Sequence, residues 1–155
     1  MKIVLMPGGN MGDSAGFFRT ACEKLIQHGV TELKCSSIFR SAAVDCVPGT
    51  PDFCDAAVTG EWAGSPEELL QLCRKLEQEA GRPAVHSSRE SRILDIDVIL
   101  FGNRVIRTPE LTIPHPRASI RKFVLEPLCE LAPELIFPDS GLSVQETLKF
   151  LCFQD

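Results

Sequence analysis

Apolar residues recur along the chain with two different periods, and these periods predict its secondary structure. Short runs that are alternating or continuously apolar predict strands at residues 2–6, 32–40, 53–62 and 93–101. Apolar residues spaced three and four apart predict helices at residues 14–28, 66–80, 123–131 and 142–151. The order β-α-β-β-α-β is typical of an α+β fold. We therefore predict one domain over residues 1–155, a ferredoxin-like α/β sandwich in which helices pack on a mainly antiparallel sheet.

The predicted helix ends carry local signals. Ser65 is suited to the N-cap of the second helix, with Pro66 at the first helical position and Glu68 three residues after the cap. Gly81 can adopt the left-handed conformation that ends such a helix. Asp13 is the predicted N-cap of the first helix.

Between these elements, two segments lack apolar periodicity and are predicted to be loops. Residues 41–52 contain Pro and Gly, and residues 82–92 are polar. Gly102 and Asn103 predict a turn that joins the strand ending at residue 101 to residues 104–107 in a hairpin.

One predicted strand contains two acidic residues within an apolar run. Alternation places Asp95 and Asp97 on the same face, with roughly 6.5–7 Å between their Cα atoms. Two carboxylates at that separation repel by about 2.4 kcal/mol at an effective dielectric constant near 20. A divalent cation would relieve this repulsion, and oxygen ligands suit Mg²⁺. A solvent-facing pair at a strand edge is the alternative.

The distribution of charge indicates what kind of ligand the protein binds. The chain carries a net charge of −5, yet residues 82–122 hold eight Lys and Arg against four Asp and Glu. Seven of these eight basic residues are arginines, whose forked donors match phosphate oxygens. With a pI of about 5.2 and no run of basic residues, the sequence disfavours nucleic acid as the partner and favours a compact phosphorylated ligand.

Composition predicts where the protein is located and how its cysteines are used. No apolar stretch approaches the ~20 residues that cross a bilayer, so we expect a cytoplasmic protein without membrane contact. The seven cysteines are odd in number and form no Cys-x-x-Cys pair, which disfavours a zinc site and a disulfide framework. We expect most of them to be reduced and buried, with Cys46 and Cys54 the most exposed.

Six stretches together resemble the family of 6-hydroxymethyl-7,8-dihydropterin pyrophosphokinases, enzymes of folate biosynthesis. They are Gly-Gly-Asn-Met-Gly-Asp at 8–13, Ser-Ser-Ile-Phe-Arg-Ser at 36–41, Gly-Arg at 81–82, Arg-Ile-Leu-Asp-Ile-Asp at 92–97, Pro-His-Pro-Arg at 114–117 and Arg-Lys-Phe-Val-Leu-Glu-Pro-Leu at 121–128. The last three stretches are the most specific. Their order and spacing fit the family from residue 3 to about residue 138.

The resemblance implies transfer of pyrophosphate from MgATP to the hydroxymethyl group of the pterin, which yields AMP and the pterin diphosphate. Asp95 and Asp97 would hold two Mg²⁺ ions, and Arg82 and Arg92 would join them in catalysis. The residues that match or complete the nucleotide site are Leu70, Arg82, Arg92, Val98, Thr112, His115 and Arg121. For His115, a purely structural role in hydrogen bonding is the alternative.

The resemblance also implies a pterin pocket and exposes two departures from the family pattern. The pocket would consist of Ala42, Val44, Phe53, Asp55 and Phe123, in which the two Phe rings stack on the pterin. Asp55 stands where the family usually has Asn, and a carboxylate cannot donate to the pterin carbonyl. Residues 83–91 lack the Trp that family members generally carry there.

These departures leave a second hypothesis open, a non-catalytic relative that binds nucleotide or pterin. A third hypothesis is a Mg²⁺-dependent enzyme of nucleotide sugars, although 155 residues are few for such a protein. The expected partners are ATP and hydroxymethyldihydropterin, and we expect a monomer or weak homo-oligomer. The loops at 41–52 and 83–91 are expected to close over the substrates.

Overall fold

The computed structural model describes residues 1–10, 12–41, 48–49, 52–81 and 94–153. Its strands are β1 (Lys2–Gly9), β2 (Thr31–Cys35), β3 (Phe39–Ser41), β4 (Phe53–Asp55), β5 (Val58–Glu61), β6 (Asp95–Phe101), β7 (Ile106–Arg107) and β8 (Thr112–Ile113). Its α-helices are α1 (Ser14–Gln27), α2 (Pro66–Glu79), α3 (Lys122–Leu131) and α4 (Val144–Phe153). A short 3₁₀ helix (Ala118–Ile120) precedes α3.

Strand β1 is the centre of an antiparallel sheet. Two strands share one of its edges, since β5 pairs with its first half and β4 with its last residues. Strand β6 runs along the other edge, opposite Ile3 to Gly8. Strand β2 pairs with β5, and β3 pairs with β4. The last part of β1 is therefore flanked by β4 and by the start of β6.

Alternating side chains of β1 enter two hydrophobic cores, one on each face of the sheet. Ile3 and Leu5 belong to the core formed with α1 and α2. Val4 and Met6 belong to the core formed with α3 and α4. This arrangement confirms the predicted α+β sandwich. Within the described parts of the chain, no helix has both the length and the apolar character needed to span a bilayer.

The predicted helix signals are confirmed. The Ser65 hydroxyl accepts from the Glu68 backbone N–H at 3.1 Å, and the Glu68 carboxylate accepts from the Ser65 N–H at 3.1 Å. Such a cap typically contributes ~1 kcal/mol. Gly81 has a φ of 105°, in the left-handed region that ends the helix. Asp13 caps α1 by accepting from the Gly16 N–H at 3.1 Å.

Two predicted strands are each divided in the structure. The strand predicted at 32–40 is β2 and β3, and the strand predicted at 53–62 is β4 and β5. The two breaks are bonded to each other, because the Ser36 hydroxyl accepts from the Ala57 N–H at 2.9 Å. The Ala56 N–H donates to the Pro7 carbonyl at 3.1 Å. These long-range bonds divide runs that are locally suited to continuous strands.

The predicted hairpin at Gly102-Asn103 is wrong. The Gly102 N–H donates across to the Lys2 carbonyl at 2.6 Å, and β7 pairs with β8 instead of with β6. The expectation of an exposed Cys54 is also wrong, since β4 buries that side chain in the core with α1 and α2. Cys46 lies outside the described residues.

Candidate active site

A row of residues across three strands places acidic side chains on one face of the sheet. Asp55 of β4 and Asp95 of β6 both stand directly opposite Gly8 of β1. Residues that pair directly project from the same face, so the Cα atoms of Asp55 and Asp95 are ~10 Å apart across β1. Asp97 stands opposite Met6, whose side chain enters the core with α3 and α4. A Cβ atom at position 8 would collide with the Asp55 carboxylate, so Gly keeps this surface open.

A cleft of about 590 Å³ lies beside the aspartate pair. This volume is within the range that is usual for small-molecule sites. The cleft brings together seven predicted residues, which are Leu70, Asp95, Asp97, Val98, Thr112, His115 and Arg121. The predicted metal ligands and the described part of the predicted nucleotide site thus share one cavity.

One backbone and one ring hydrogen bond hold His115 near Asp97. Its backbone N–H donates to the Ile99 carbonyl of β6 at 3.0 Å. Its Nδ1 accepts from the Arg117 N–H at 3.4 Å, and its Nε2 lies 3.9 Å from Asp97 Oδ2. Burial, and then the Arg121 guanidinium, lower the pKa of His115 below its ordinary 6.5. We infer a neutral imidazole at pH 7, with its Nε2–H directed toward Asp97.

The sequence analysis missed Glu77, a buried acidic residue of α2 that lines the same cleft. Its Oε2 atom accepts from the backbone N–H of Ile96 at 2.8 Å, between the two aspartates. The bond joins α2 to the first residues of β6. Glu77 follows Cys73 by four positions in the apolar stripe of α2, and an acidic residue in such a stripe was the available signal.

Arg74 of α2 also lines the cleft and was not predicted. Leu70, Arg74 and Glu77 follow one another at helical spacing, so the wall that α2 contributes is apolar, then cationic, then acidic. An exposed guanidinium at this cleft adds a donor suited to an anionic ligand.

The predicted pterin residues that are described lie on elements that contact one another. Phe53 and Asp55 belong to β4, and Phe123 lies in the first turn of α3. Helix α3 packs against β3 and β4. The Arg121 guanidinium stands 5.3 Å from the centre of the Phe123 ring, a cation–π distance. Phe123 is 37% exposed, so its ring is accessible to a ligand.

The carboxylates at the cleft fit a magnesium ion that binds together with a phosphorylated ligand. Among the residues described, no group of three or more His, Cys, Asp or Glu side chains is arranged to hold a metal ion. Mg²⁺ commonly takes only one or two carboxylates and completes its shell with water and substrate phosphates. Asp95 and Asp97, which line one cleft, supply that number of carboxylates.

Several predicted residues lie outside the described part of the chain. They are Arg82, Arg92, Ala42 and Val44, together with residues 83–91 and most of residues 41–52. Their roles remain predictions from the sequence.

A carboxylate pair that shares a cleft of small-molecule size with arginine side chains is the arrangement of a phosphoryl-transfer site. The model of the family 7,8-dihydro-6-hydroxymethylpterin-pyrophosphokinase (HPPK) matches residues 4–133. The pyrophosphokinase of Synechocystis sp. for 2-amino-4-hydroxy-6-hydroxymethyldihydropteridine is 37% identical over 92% of this chain and 72% of its own length. The enzyme of that name from Bacillus subtilis is 37% identical over 83% of this chain and 76% of its own length. The chain belongs to the HPPK family.

Solved structures agree with this fold. A crystal structure of HPPK-DHPS in complex with substrates superposes with a TM-score of 0.74 at 12% identity. The superposition covers 99% of this chain and 45% of that longer chain. At this level of identity, the likeness concerns the fold.

Proposed function

We propose that this chain transfers pyrophosphate from MgATP to 6-hydroxymethyl-7,8-dihydropterin in folate biosynthesis, giving AMP and the pterin diphosphate. The observation that carries the proposal is the shared cleft, in which Asp95 and Asp97 stand with His115 and Arg121. Membership of the family favours catalysis over the non-catalytic alternative and over an enzyme of nucleotide sugars. We further propose a single cytoplasmic domain, monomeric or weakly associated, that binds no nucleic acid.

Asp95 and Asp97 would hold two Mg²⁺ ions, which supply charge neutralisation for the ATP phosphates and polarise the attacking hydroxyl group. Thr112 and the apolar Leu70 and Val98 would receive the adenine. Arg121, with Arg82 and Arg92 from the sequence, would neutralise the triphosphate.

The pterin would lie near Asp55, across β1 from Asp95, between Phe53 and Phe123. Asp55 can accept from the pterin N–H and amino group through its two carboxylate oxygens. It cannot donate to the pterin carbonyl, as the amide of Asn would. We therefore expect this chain to hold the pterin with one donor fewer than relatives that carry Asn.

In this mechanism the protein works by positioning rather than by strong base catalysis. His115 has a lowered pKa, so it would be neutral and would donate from Nε2 instead of adding charge. Arginine side chains and the acidic pair would align the hydroxyl group with the phosphate to be transferred. Closure of residues 41–52 and 83–91 would exclude water from the site.

The direct test is formation of AMP from ATP, Mg²⁺ and hydroxymethyldihydropterin. We expect the wild-type protein to produce AMP only when the pterin is present. Asp97→Asn should abolish turnover while the melting temperature stays within a few degrees. Asp139→Asn, in an exposed turn, is the matched control and should retain full activity. Wild-type protein that forms no AMP, or an active Asp97→Asn variant, would contradict the proposal.

A second test concerns Asp55. Asp55→Asn restores one donor toward the pterin, and a net hydrogen bond of about 0.5–1.5 kcal/mol corresponds to roughly 2–12-fold tighter binding. Calorimetry with the pterin and a non-hydrolysable ATP analogue measures this affinity. Binding that is unchanged or weaker in the variant would show that Asp55 does not face the pterin edge as proposed.

A further inference from the structure

A network of hydrogen bonds joins the last turn of α3 to the end of β4. The Glu130 carboxylate of α3 accepts from the Ser37 N–H and from the Ser37 hydroxyl group, each at 2.6 Å. The Ser36 hydroxyl donates to the Ser37 carbonyl at 2.8 Å and accepts from the Ala57 N–H at 2.9 Å. Ala57 lies two residues after β4. A helix and a strand that are far apart in the sequence are thus tied together through the two serines.

The two ends of this network belong to the elements that carry the proposed pterin residues. Phe123 lies seven positions, or about two helical turns, before Glu130, so both side chains are on the same side of α3. Phe53 and Asp55 lie on β4. Helix α3 contacts β3 and β4. The placement of α3 relative to β4 therefore sets the gap between the rings of Phe53 and Phe123.

A proline inside α3 makes the first turn of this helix depend on its other contacts. Pro127 has no N–H, so the Phe123 carbonyl does not receive the hydrogen bond that residue 127 would otherwise donate. Val124 and Leu128 bury one side of α3 in the core with α4, whereas Phe123 and Glu130 are exposed. Apolar packing is not directional, but two hydrogen bonds to one carboxylate fix its geometry. The bonds of Glu130 can thus hold the rotation of α3, which the core alone does not specify.

We propose that Glu130 is a positioning residue for the pterin, because its bonds to Ser37 hold α3 at the rotation that places the Phe123 ring opposite Phe53. This role rests on the proposed function, in which the pterin stacks between these two rings. Stacking requires ring centres within about 4.5–7 Å of each other, so a rotation of α3 that moves the Phe123 ring weakens pterin binding. Neither Glu130 nor Ser37 lines the cleft proposed for ATP. The effect of Glu130 should therefore fall on the pterin and spare the nucleotide.

The first experiment compares the two affinities in variants of Glu130. Calorimetry measures binding of a non-hydrolysable ATP analogue, and then binding of the pterin to that complex. Glu130→Ala should weaken pterin binding roughly 2–12-fold, the range that one aromatic stack contributes, while affinity for the ATP analogue stays close to that of the wild-type protein. Glu130→Gln keeps one oxygen acceptor and should lose less.

The matched control is Glu146→Ala. Glu146 is an exposed glutamate of α4 that also accepts from a serine N–H, that of Ser143 at 3.2 Å, but this bond lies within the start of one helix. Its loss should leave the pterin affinity unchanged. An unchanged pterin affinity in Glu130→Ala would overturn the proposal. Equal losses for pterin and ATP analogue, or an equal loss of pterin affinity in Glu146→Ala, would overturn it as well.

The second experiment asks whether Glu130 acts through the Phe123 ring. In a double-mutant cycle on pterin affinity, Glu130→Ala should have little further effect once Phe123→Ala has removed the ring that Glu130 positions. A purely structural Glu130 would instead give losses that add, and additive losses would contradict the proposal.

Both experiments measure affinity without turnover, so they separate this role from the proposed function. Wild-type protein that binds the pterin but forms no AMP would contradict the transfer reaction alone. Wild-type protein that binds no pterin would overturn both.

Discussion

Replacing Glu77 provides a quantitative test of how α2 holds the aspartate strand. Glu77 is 6% exposed, and its carboxylate accepts from the Ile96 N–H at 2.8 Å. Glu77→Ala leaves a buried N–H group unsatisfied, which costs about 1–3 kcal/mol. Glu77→Gln keeps an oxygen acceptor of the same shape, so it should lose less stability than Glu77→Ala.

Urea denaturation followed by circular dichroism measures both losses. A loss of about 2 kcal/mol in Glu77→Ala corresponds to a melting temperature lower by roughly 4–8 °C for a chain of this size. We also expect a lower kcat in this variant, because Asp95 and Asp97 flank the released N–H. The matched control is Glu79→Gln on the same helix, where an exposed carboxylate pairs with Lys24 at 2.6 Å. This control should change stability little.

The reasoning fails if Glu77→Ala and Glu77→Gln lose the same stability, since the acceptor would then be irrelevant. It also fails if Glu77→Ala is destabilised while kcat with saturating ATP and pterin is unchanged, because the bond would then not position the aspartates. A loss of stability in Glu79→Gln as large as that in Glu77→Ala would show that burial does not distinguish the two residues.

Three further predictions follow from the geometry. Gly8→Ala should push the Asp55 carboxylate aside and weaken pterin binding about tenfold, or ~1.4 kcal/mol, with ATP affinity unchanged by calorimetry; equal loss for both ligands would contradict this. The pKa of His115 is lower in the folded protein than its ordinary 6.5, so the unfolded chain binds a proton at a higher pH than the folded chain does. Stability should therefore fall as the pH drops below 6.5. His115→Asn should flatten this fall in urea titrations. Hydrogen bonds from the Ser37 hydroxyl and N–H lower the pKa of Glu130. Its contribution to stability should therefore be present above pH 4.5 and be lost as the pH falls through the lowered pKa. Glu130→Gln should be less stable than the wild-type protein at pH 7, and the two stabilities should converge in acid.

Local sequence signals predicted the helices because a helix end depends on residues that are close in the chain. Ser65, Glu68 and Gly81 define α2 by bonds within a few positions, and each was predicted correctly. The broken strands could not be predicted in this way. Their breaks depend on the Ser36 hydroxyl meeting Ala57, a contact between residues 21 positions apart.

The same distinction applies to the candidate site. The spacing of Asp95 and Asp97 on one strand indicated that they act together, and the motifs near Thr112, His115 and Arg121 indicated the residues that share their cleft. The residues that α2 contributes to this cleft were harder to predict from the sequence. Leu70 was predicted from the family resemblance, but Arg74 and Glu77 approach β6 only through the packing of the helix on the sheet.

The two walls of the site depend on different cores. Helix α2, which would face the nucleotide, belongs to the core on one side of the sheet, whereas α3, which would face the pterin, belongs to the core on the other side. Loosening one layer should therefore impair recognition of one substrate before the other. Substitutions in one core could thus change the affinity for ATP while the affinity for the pterin stays the same, and the reverse, because β1 separates the two cores.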